Sequence, residues 1–117
     1  MNRDEFLAIG VMGWHWEVRK LAPDSGVYLE GWITSDGLWN EAKWDPGEDW
    51  SQTGLLLDAM KQDYQVEIVQ QVGFLNPREY HVVFTDIDQM SIMGTATDAD
   101  LREAIATAAA LAKGWVK

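Results

Sequence analysis

The sequence predicts one α+β domain, a layered α/β/α sandwich with an antiparallel sheet and about three helices. Apolar residues recur at helical spacing in three segments, near the start, the middle and the end of the chain. Between the second and third of these, one segment alternates apolar and polar residues and two further extended segments follow it, with connections short enough for hairpins. A length of 117 residues fits a single domain, 1–117, and leaves little room for a second.

The first helix is predicted at residues 2–12. Asn2 can accept hydrogen bonds from the free N–H groups of the first turn, and Gly13 can end the helix. Asp4 and Glu5 place negative charge at the positive end of the helix dipole. We therefore expect a short helix with a defined start and end.

Two extended segments are predicted after the first helix. Residues 14–19 alternate apolar and polar, which indicates a strand with one buried face. Residues 27–33 form the second segment, between the turn-forming clusters 23–26 and 35–37. The polar segment 38–44 is predicted to be a loop.

The middle helix has the clearest start. Asp45 is expected to be its N-cap and Pro46 its first residue, with Glu48 in the capping-box position three residues after the cap. The helix is predicted to end near Gln62. Its apolar stripe, which would face the core, comprises Trp50, Thr53, Leu56, Leu57 and Met60.

Three strands are predicted in the second half of the chain. Residues 64–70 alternate over most of their length, and 80–85 and 89–95 follow as two further extended segments. A turn is expected at 73–78, where an Asn-Pro pair breaks regular structure. These strands would form an antiparallel meander.

The last helix is predicted from a capping box at 97–100, an apolar stripe over 101–112 and Gly114 as its C-terminal cap. The second half of the stripe is rich in alanine, whose small side chain would let the helix lie close against the sheet. We expect the middle and last helices to enclose the sheet and to leave Glu48 and Asp49 in water.

Four segments of the chain resemble one protein family. They are 12–14, 39–40, 44–50 and the alanine-rich 104–111. Together they resemble the phage ABA sandwich domain, a family of small phage and prophage proteins. The resemblance implies layers of helix, antiparallel sheet and helix, and a viral or prophage origin, and it implies no enzymatic activity. The chain departs from the family pattern at Gly47 and in a long insert at 22–43.

The composition disfavours several classes of partner. Nineteen acidic and nine basic residues give a formal charge of −10, which disfavours direct binding to nucleic acid or to anionic membranes. There is no cysteine, no apolar run that approaches the roughly 20 residues of a membrane span, and no signal-peptide pattern. We expect a cytoplasmic protein, in the host cytoplasm if the chain is phage-encoded. The acidic excess either maintains solubility or provides a face for a basic partner.

No pattern in the sequence is typical of an enzyme, and we expect no catalytic residue, metal or cofactor. His15 and His81 lie in predicted strands beside aromatic residues, and neither has metal-ligand spacing to further histidines. The densest group of carboxylates comprises Asp86, Asp88, Asp98, Asp100 and Glu103. We interpret this group as a turn and a helix cap, because it lacks the glycine and the downstream glutamate of a calcium loop.

Seven tryptophans in a chain of this length are unusual. Trp39 and Trp44 lie in the predicted polar loop, where they either cover the sheet as a lid or belong to a binding surface. The other five lie on or beside predicted elements and are expected in or near the core. They are Trp14, Trp16, Trp32, Trp50 and Trp115.

The first functional hypothesis is a phage- or prophage-encoded, non-enzymatic protein that binds a host protein, for example an anti-CRISPR-like inhibitor of host defence. Its partner-binding residues would be Trp39, Glu41, Trp44, Glu48 and Asp49. An alternative is a protein that sequesters a nucleotide signal between aromatic rings, and its cationic candidates are Arg19, Lys20, Lys43 and Arg78. A third is a homo-oligomeric accessory protein, in the simplest case a homodimer.

Overall fold

The computed structural model describes residues 1–20, 22–24, 26–40, 43–71 and 78–117. Within them, the helices are α1 (Arg3–Gly10), α2 (Trp50–Met60) and α3 (Leu101–Ala112). The strands are β1 (His15–Lys20), β2 (Tyr28–Ile33), β3 (Trp39–Asn40), β4 (Tyr64–Gln71), β5 (Glu79–Asp86) and β6 (Ile92–Asp98). The predicted α+β class, with three helices and antiparallel strands, is confirmed.

The strands form two separate antiparallel sheets. The first has the order β1-β2-β3 and the second the order β4-β5-β6. Helix α3 packs on β5 and β6, and both α1 and α2 pack on α3. The hydrophobic core therefore lies around α3, while the enclosure of a sheet between two helical layers stays a prediction.

The alanines of α3 bring its backbone against the second sheet. Almost every residue from Ala104 to Ala112 is buried. A Cβ added to Gly94 of β6 would lie 2.3 Å from the carbonyl oxygen of Ala108 and 2.4 Å from the backbone nitrogen of Ala112. The expected close approach of this helix to the sheet is confirmed, and it depends on small residues from both elements.

The ends of α1 and α3 are capped by short side chains and by glycine. The Asn2 side chain accepts a hydrogen bond of 2.8 Å from the backbone N–H of Glu5, as predicted. Gly114 ends α3 with a φ of +100°, and the N–H of Trp115 donates to the carbonyl of Ala110 at 2.9 Å. This is the expected glycine cap, in the geometry of a Schellman motif.

The predicted start of α2 is wrong by four residues. The helix begins at Trp50, and its N-cap is Asp49, whose carboxylate accepts from the N–H groups of Ser51 and Gln52. Residues 45–49 form a tight turn in which the N–H of Asp49 donates to the carbonyl of Asp45 at 3.0 Å. Side chains of α2 hold this turn, since the hydroxyl of Thr53 donates to the carbonyl of Pro46 at 2.5 Å.

Three strand predictions also need correction. The strand predicted at 89–95 runs from Ile92 to Asp98, so the N-cap of α3 is Asp100 and not a residue at 97. The predicted loop 38–44 contains the short strand β3, which pairs with β2. Strand β1 is exposed on both faces over most of its length instead of having one buried face. The turn predicted at 73–78 lies mostly outside the described residues, which resume at 78.

The molecule is elongated. Its radius of gyration is 16.7 Å, against roughly 13 Å for a compact domain of this length. The outer end of the β1–β2 hairpin carries exposed apolar residues, namely Val18, Val27, Tyr28 and Leu29. Within the described chain, none of the helices has both the length and the apolar character needed to cross a bilayer.

Candidate binding cleft

A cleft of about 500 Å³ lies between α1 and the first sheet. We call it the tryptophan cleft, and its lining residues are Asn2, Asp4, Glu5, Ile9, Trp16, Trp32, Lys43 and Trp44. A smaller depression of about 210 Å³ shares three tryptophans and Lys43 with it and adds Glu30. The cleft therefore combines indole rings, carboxylates and one lysine.

Trp44 forms a fixed wall of the cleft. Its side chain is 5% exposed, and its ring packs edge-on against Trp14 with the centroids 4.7 Å apart. The indole N–H of Trp44 donates a hydrogen bond of 2.8 Å to the backbone carbonyl of Asp4 in α1. Because its polar atom is satisfied and its ring is packed, Trp44 is held in one orientation.

Trp16 and Trp32 form a more open part of the cleft lining. They lie on paired strands and meet edge-on with centroids 5.1 Å apart. Trp32 is buried, whereas Trp16 is 50% exposed. A ligand can therefore reach the ring of Trp16 from solvent, while Trp32 packs edge-on against that ring.

Two carboxylates from the first turn of α1 line the cleft. Asp4 accepts a hydrogen bond of 3.0 Å from the Nε of Arg3, and Glu5 accepts one of 3.0 Å from the amide of Asn2. Burial raises the pKa of Asp4 above its ordinary value, although the charge and the hydrogen bond of Arg3 act in the opposite direction. Glu5 is exposed and keeps its second oxygen free of the Asn2 hydrogen bond.

Arg3 fixes α1 to α3 below the cleft. Its guanidinium donates to Glu103 at 3.3 Å and to the hydroxyl of Thr107 at 3.2 Å, in addition to Asp4. A Cβ at Gly47 would lie 2.1 Å from an Oε of Glu103. Glycine at position 47 thus gives the turn 45–49 room beside this ion pair.

Lys43 supplies a positive charge at the cleft. Its ammonium lies 3.8 Å from a carboxylate oxygen of Asp45, and its side chain is 86% exposed. An ion pair with so exposed a partner contributes little to stability. Lys43 can therefore move away without a large cost to the fold.

Four of the five residues predicted to bind a partner lie in the described part of the chain, and their surroundings differ. Trp44 lines the cleft, but its side chain lies in the core. Trp39 is half-buried on β3, and the guanidinium carbon of Arg19 lies 5.3 Å from the centroid of its ring. Glu48 and Asp49 are exposed at the start of α2, as expected. Glu41 lies outside the described residues. The role of these residues in partner binding stays a prediction.

Asp49 has a structural role as well. Its pKa is lowered, mainly because the hydroxyl of Ser51 donates a hydrogen bond to the carboxylate. Asp49 is thus engaged as the cap of α2, whereas no described side-chain hydrogen bond engages the carboxylate of Glu48. Of the two, Glu48 is the better position for testing an acidic docking surface.

The other candidate groups have local structural roles or stand apart. His81 shares a hydrogen bond of 2.8 Å with the hydroxyl of Thr97. Asp86 and Asp100 accept hydrogen bonds from nearby backbone N–H groups, as predicted for a turn and a cap. Among the described residues, no cluster of three or more potential metal ligands is found. Of the four cations proposed for a nucleotide site, Lys43 lines the cleft.

Sequence reasoning missed four residues of the cleft. Trp16 and Trp32 were expected in or near the core, and Asp4 and Glu5 were interpreted only as helix-stabilising charges. The prediction of a core position is wrong for Trp16 and also for Trp50, which is 56% exposed. The sequence signal that could have indicated the cleft was the local excess of tryptophan and acidic residues. That signal does not show that α1 packs beside the first sheet, because this contact joins distant parts of the chain.

Comparisons with family models, with curated proteins and with solved structures find no match for this chain. The resemblance to the phage ABA sandwich domain therefore stays a prediction. The geometry and charge of the cleft are the basis for assigning a function.

Proposed function

We propose that this protein is a non-enzymatic binding module that takes a positively charged segment of a partner protein into the tryptophan cleft. One observation carries the proposal: three indole rings and two carboxylates line a single cleft in a chain with a formal charge of −10. The acidic, tryptophan-containing surface of the first hypothesis would thus lie beside α1, at residues different from most of those predicted.

Indole rings and carboxylates favour the same ligand. The face of a tryptophan attracts an ammonium or guanidinium group, and the attraction grows when the site is partly desolvated. Asp4 and Glu5 add negative charge at the same cleft. A lysine or arginine side chain can place its apolar stem along Trp16 and its charged end near the carboxylates.

The charge of the whole chain supports a basic partner. An excess of acidic residues creates a negative potential that speeds the encounter with a cationic surface and repels anionic ones. A nucleotide ligand is disfavoured at this cleft, because Asp4 and Glu5 would repel its phosphates. Among the lining residues, Lys43 is the cation that could offset this repulsion.

A catalytic role for Asp4 is the competing interpretation. A carboxyl group with a raised pKa in a cleft is a common sign of an acid–base catalyst. Asp4, however, is bound to Arg3, which also holds Glu103 and Thr107. This network joins two helices, so we interpret Asp4 as a fixed charge instead of a proton donor.

The biological setting of the proposal follows the sequence-based hypothesis. We propose a phage or prophage origin and a host protein as partner, with inhibition of host defence as one form of the activity. The basic surface of a nucleic-acid-binding host protein would suit an acidic cleft. We also propose the cytoplasm as the site of action, since the chain has no cysteine and needs no disulfide.

Calorimetric titration with an oligolysine peptide, and with an oligoglutamate peptide of equal length, tests the proposal. We expect saturable binding of oligolysine only. Glu5→Lys should weaken it roughly tenfold, whereas Glu67→Lys, an equal charge change on the exposed strand β4, should weaken it much less. Equal losses in both variants would show that the peptide responds to net charge alone and would overturn the cleft as the site.

A further inference from the structure

We propose that two copies of this chain associate through the outer edge of β1, so that their first sheets join into one antiparallel sheet. Strand β1 is an edge strand, since β2 pairs with one side of it and no other described strand pairs with the other. An unprotected edge presents free N–H and C=O groups and is a template for another strand. The second copy is the occupant for which the sequence of β1 is suited.

The exposure of β1 fits a role as an interface. Trp16 is 50% exposed and Val18 is 51% exposed, on the same face of the strand. The pairing of β1 with β2 keeps a continuous register from His15 to Lys20, so no bulge bends the edge away. Proline and bulges, two common means of protecting an edge, are absent from this strand.

The local charge also favours self-association at this place. Strands β1 and β2 together contain two acidic residues, Glu17 and Glu30, and two basic ones, Arg19 and Lys20. The hairpin strands are therefore neutral in a chain whose formal charge is −10. Two copies can meet here with much less repulsion than an average part of their surfaces would cause.

The order of residues selects one register. In an antiparallel pair, directly opposed residues have their side chains on the same face of the sheet. Consecutive residues of one strand alternate between the two faces. A two-fold axis normal to the sheet must therefore pass through a residue position, so that this residue lies opposite the same residue of the second copy. With the axis at Val18, Glu17 lies opposite Arg19 of the second copy, and Trp16 lies opposite its Lys20. Both pairs are attractive. An axis at Glu17 or at Arg19 would instead place like charges opposite each other.

Strand β4 is another edge strand and a competing candidate. It is the outer strand of the second sheet, and Val69 on it is 42% exposed. An axis at Glu67, near the middle of the strand, would oppose two carboxylates, and the strand contains no basic residue to pair with them. Among these two edges, β1 alone has a self-complementary charge order.

Sedimentation velocity over a concentration series tests the proposal. We expect a reversible dimer for the native chain, a monomer for Val18→Lys, which opposes two lysines at the axis, and a dimer for Val69→Lys. Circular dichroism checks that each variant folds. A native chain that is monomeric at the highest attainable concentration, or a dimer lost in Val69→Lys and kept in Val18→Lys, would overturn the proposal.

A charge exchange tests the register independently. Glu17→Arg and Arg19→Glu should each raise the dimer dissociation constant roughly tenfold, because each opposes like charges at two symmetric places. The double variant restores opposite charges at both places and should recover most of the affinity. Failure of the double variant to recover while it remains folded would exclude the register centred on Val18. Trp16 is left unchanged in every variant, so the cleft keeps its open wall.

Discussion

The indole N–H of Trp44 donates a hydrogen bond of 2.8 Å to the backbone carbonyl of Asp4, forty residues earlier in the chain. This bond ties the segment before α2 to the first helix, beside the edge-on contact of Trp44 with Trp14. The bond therefore links Trp44, the buried wall of the cleft, directly to Asp4, which supplies one of the two carboxylates of the cleft. The shape of the cleft therefore depends on the same contacts as the fold.

Trp44→Phe should destabilise the protein by about 2–3 kcal/mol. The smaller ring leaves a cavity in the core and removes the donor that satisfies the carbonyl of Asp4. Urea denaturation measures the loss. Trp50→Phe is the control, because Trp50 is 56% exposed, and it should change the unfolding free energy by less than about 1 kcal/mol. Similar losses in the two variants would contradict the role assigned to Trp44.

Gly94→Ala should cost several kcal/mol or prevent folding. The added methyl group would meet the backbone of α3, which cannot move away as a side chain could. Gly54→Ala is the matched change in open space, and it should stabilise α2 by about 0.5–1 kcal/mol. Thermal unfolding of both variants measures the difference, and a tolerated Gly94→Ala would show that α3 does not contact β6 as closely as described.

Acid should weaken the caps of α2 and α3. The pKa of Asp49 is lowered mainly by the Ser51 hydroxyl and that of Asp100 by the Arg102 side chain, both from an ordinary value of 3.8. A lowered folded-state pKa means that the added stability is present above the ordinary value and is lost as the pH falls through the folded value.

The double variant Asp49→Asn, Asp100→Asn tests this pH dependence. Asparagine is also a good N-cap, so the melting temperature near neutral pH should change little. Below pH 3.8, the variant should lose stability less steeply than the native chain. If stability fell equally steeply with pH in the two proteins, the loss of stability in acid would be due to other carboxylates.

Lys43→Gln should strengthen the binding of a cationic peptide about threefold at low salt, and the gain should shrink as salt is added. The substitution removes the positive charge that lines the cleft. Lys61→Gln is the control, because it changes the charge by the same amount. Lys61 is exposed, follows the last residue of α2 and pairs with Asp58. A gain of equal size in the control would contradict a local effect of Lys43.

Sequence reasoning identified the elements that depend on short-range signals. The cap at Asn2 and the glycine at 114 act on their own helix ends, and both are confirmed. The start of α2 was misplaced because Asp45 and Pro46 have the pattern of a helix start, while the structure uses them in a turn held by Thr53. That turn also lies close to Glu103, more than fifty residues away, and leaves no room there for a Cβ at position 47.

The cleft could not be predicted for the same reason. Trp44 lies among polar neighbours in the sequence, which indicates a loop, but its partners Trp14 and Asp4 come from the start of the chain. Trp16 alternates with polar residues as a buried strand residue would, yet it is half exposed beside its ring partner Trp32. Local patterns identified most of the strands, and tertiary packing decided which indoles remain accessible.

The indole N–H resonances of the tryptophans, followed by NMR during titration with an oligolysine peptide, test the central claim most directly. We predict saturable shifts at Trp16 and Trp32, which line the cleft, and none at Trp50, which is exposed elsewhere on α2. Shifts at Trp50 with none at Trp16, or no shift at any concentration of peptide, would contradict the account.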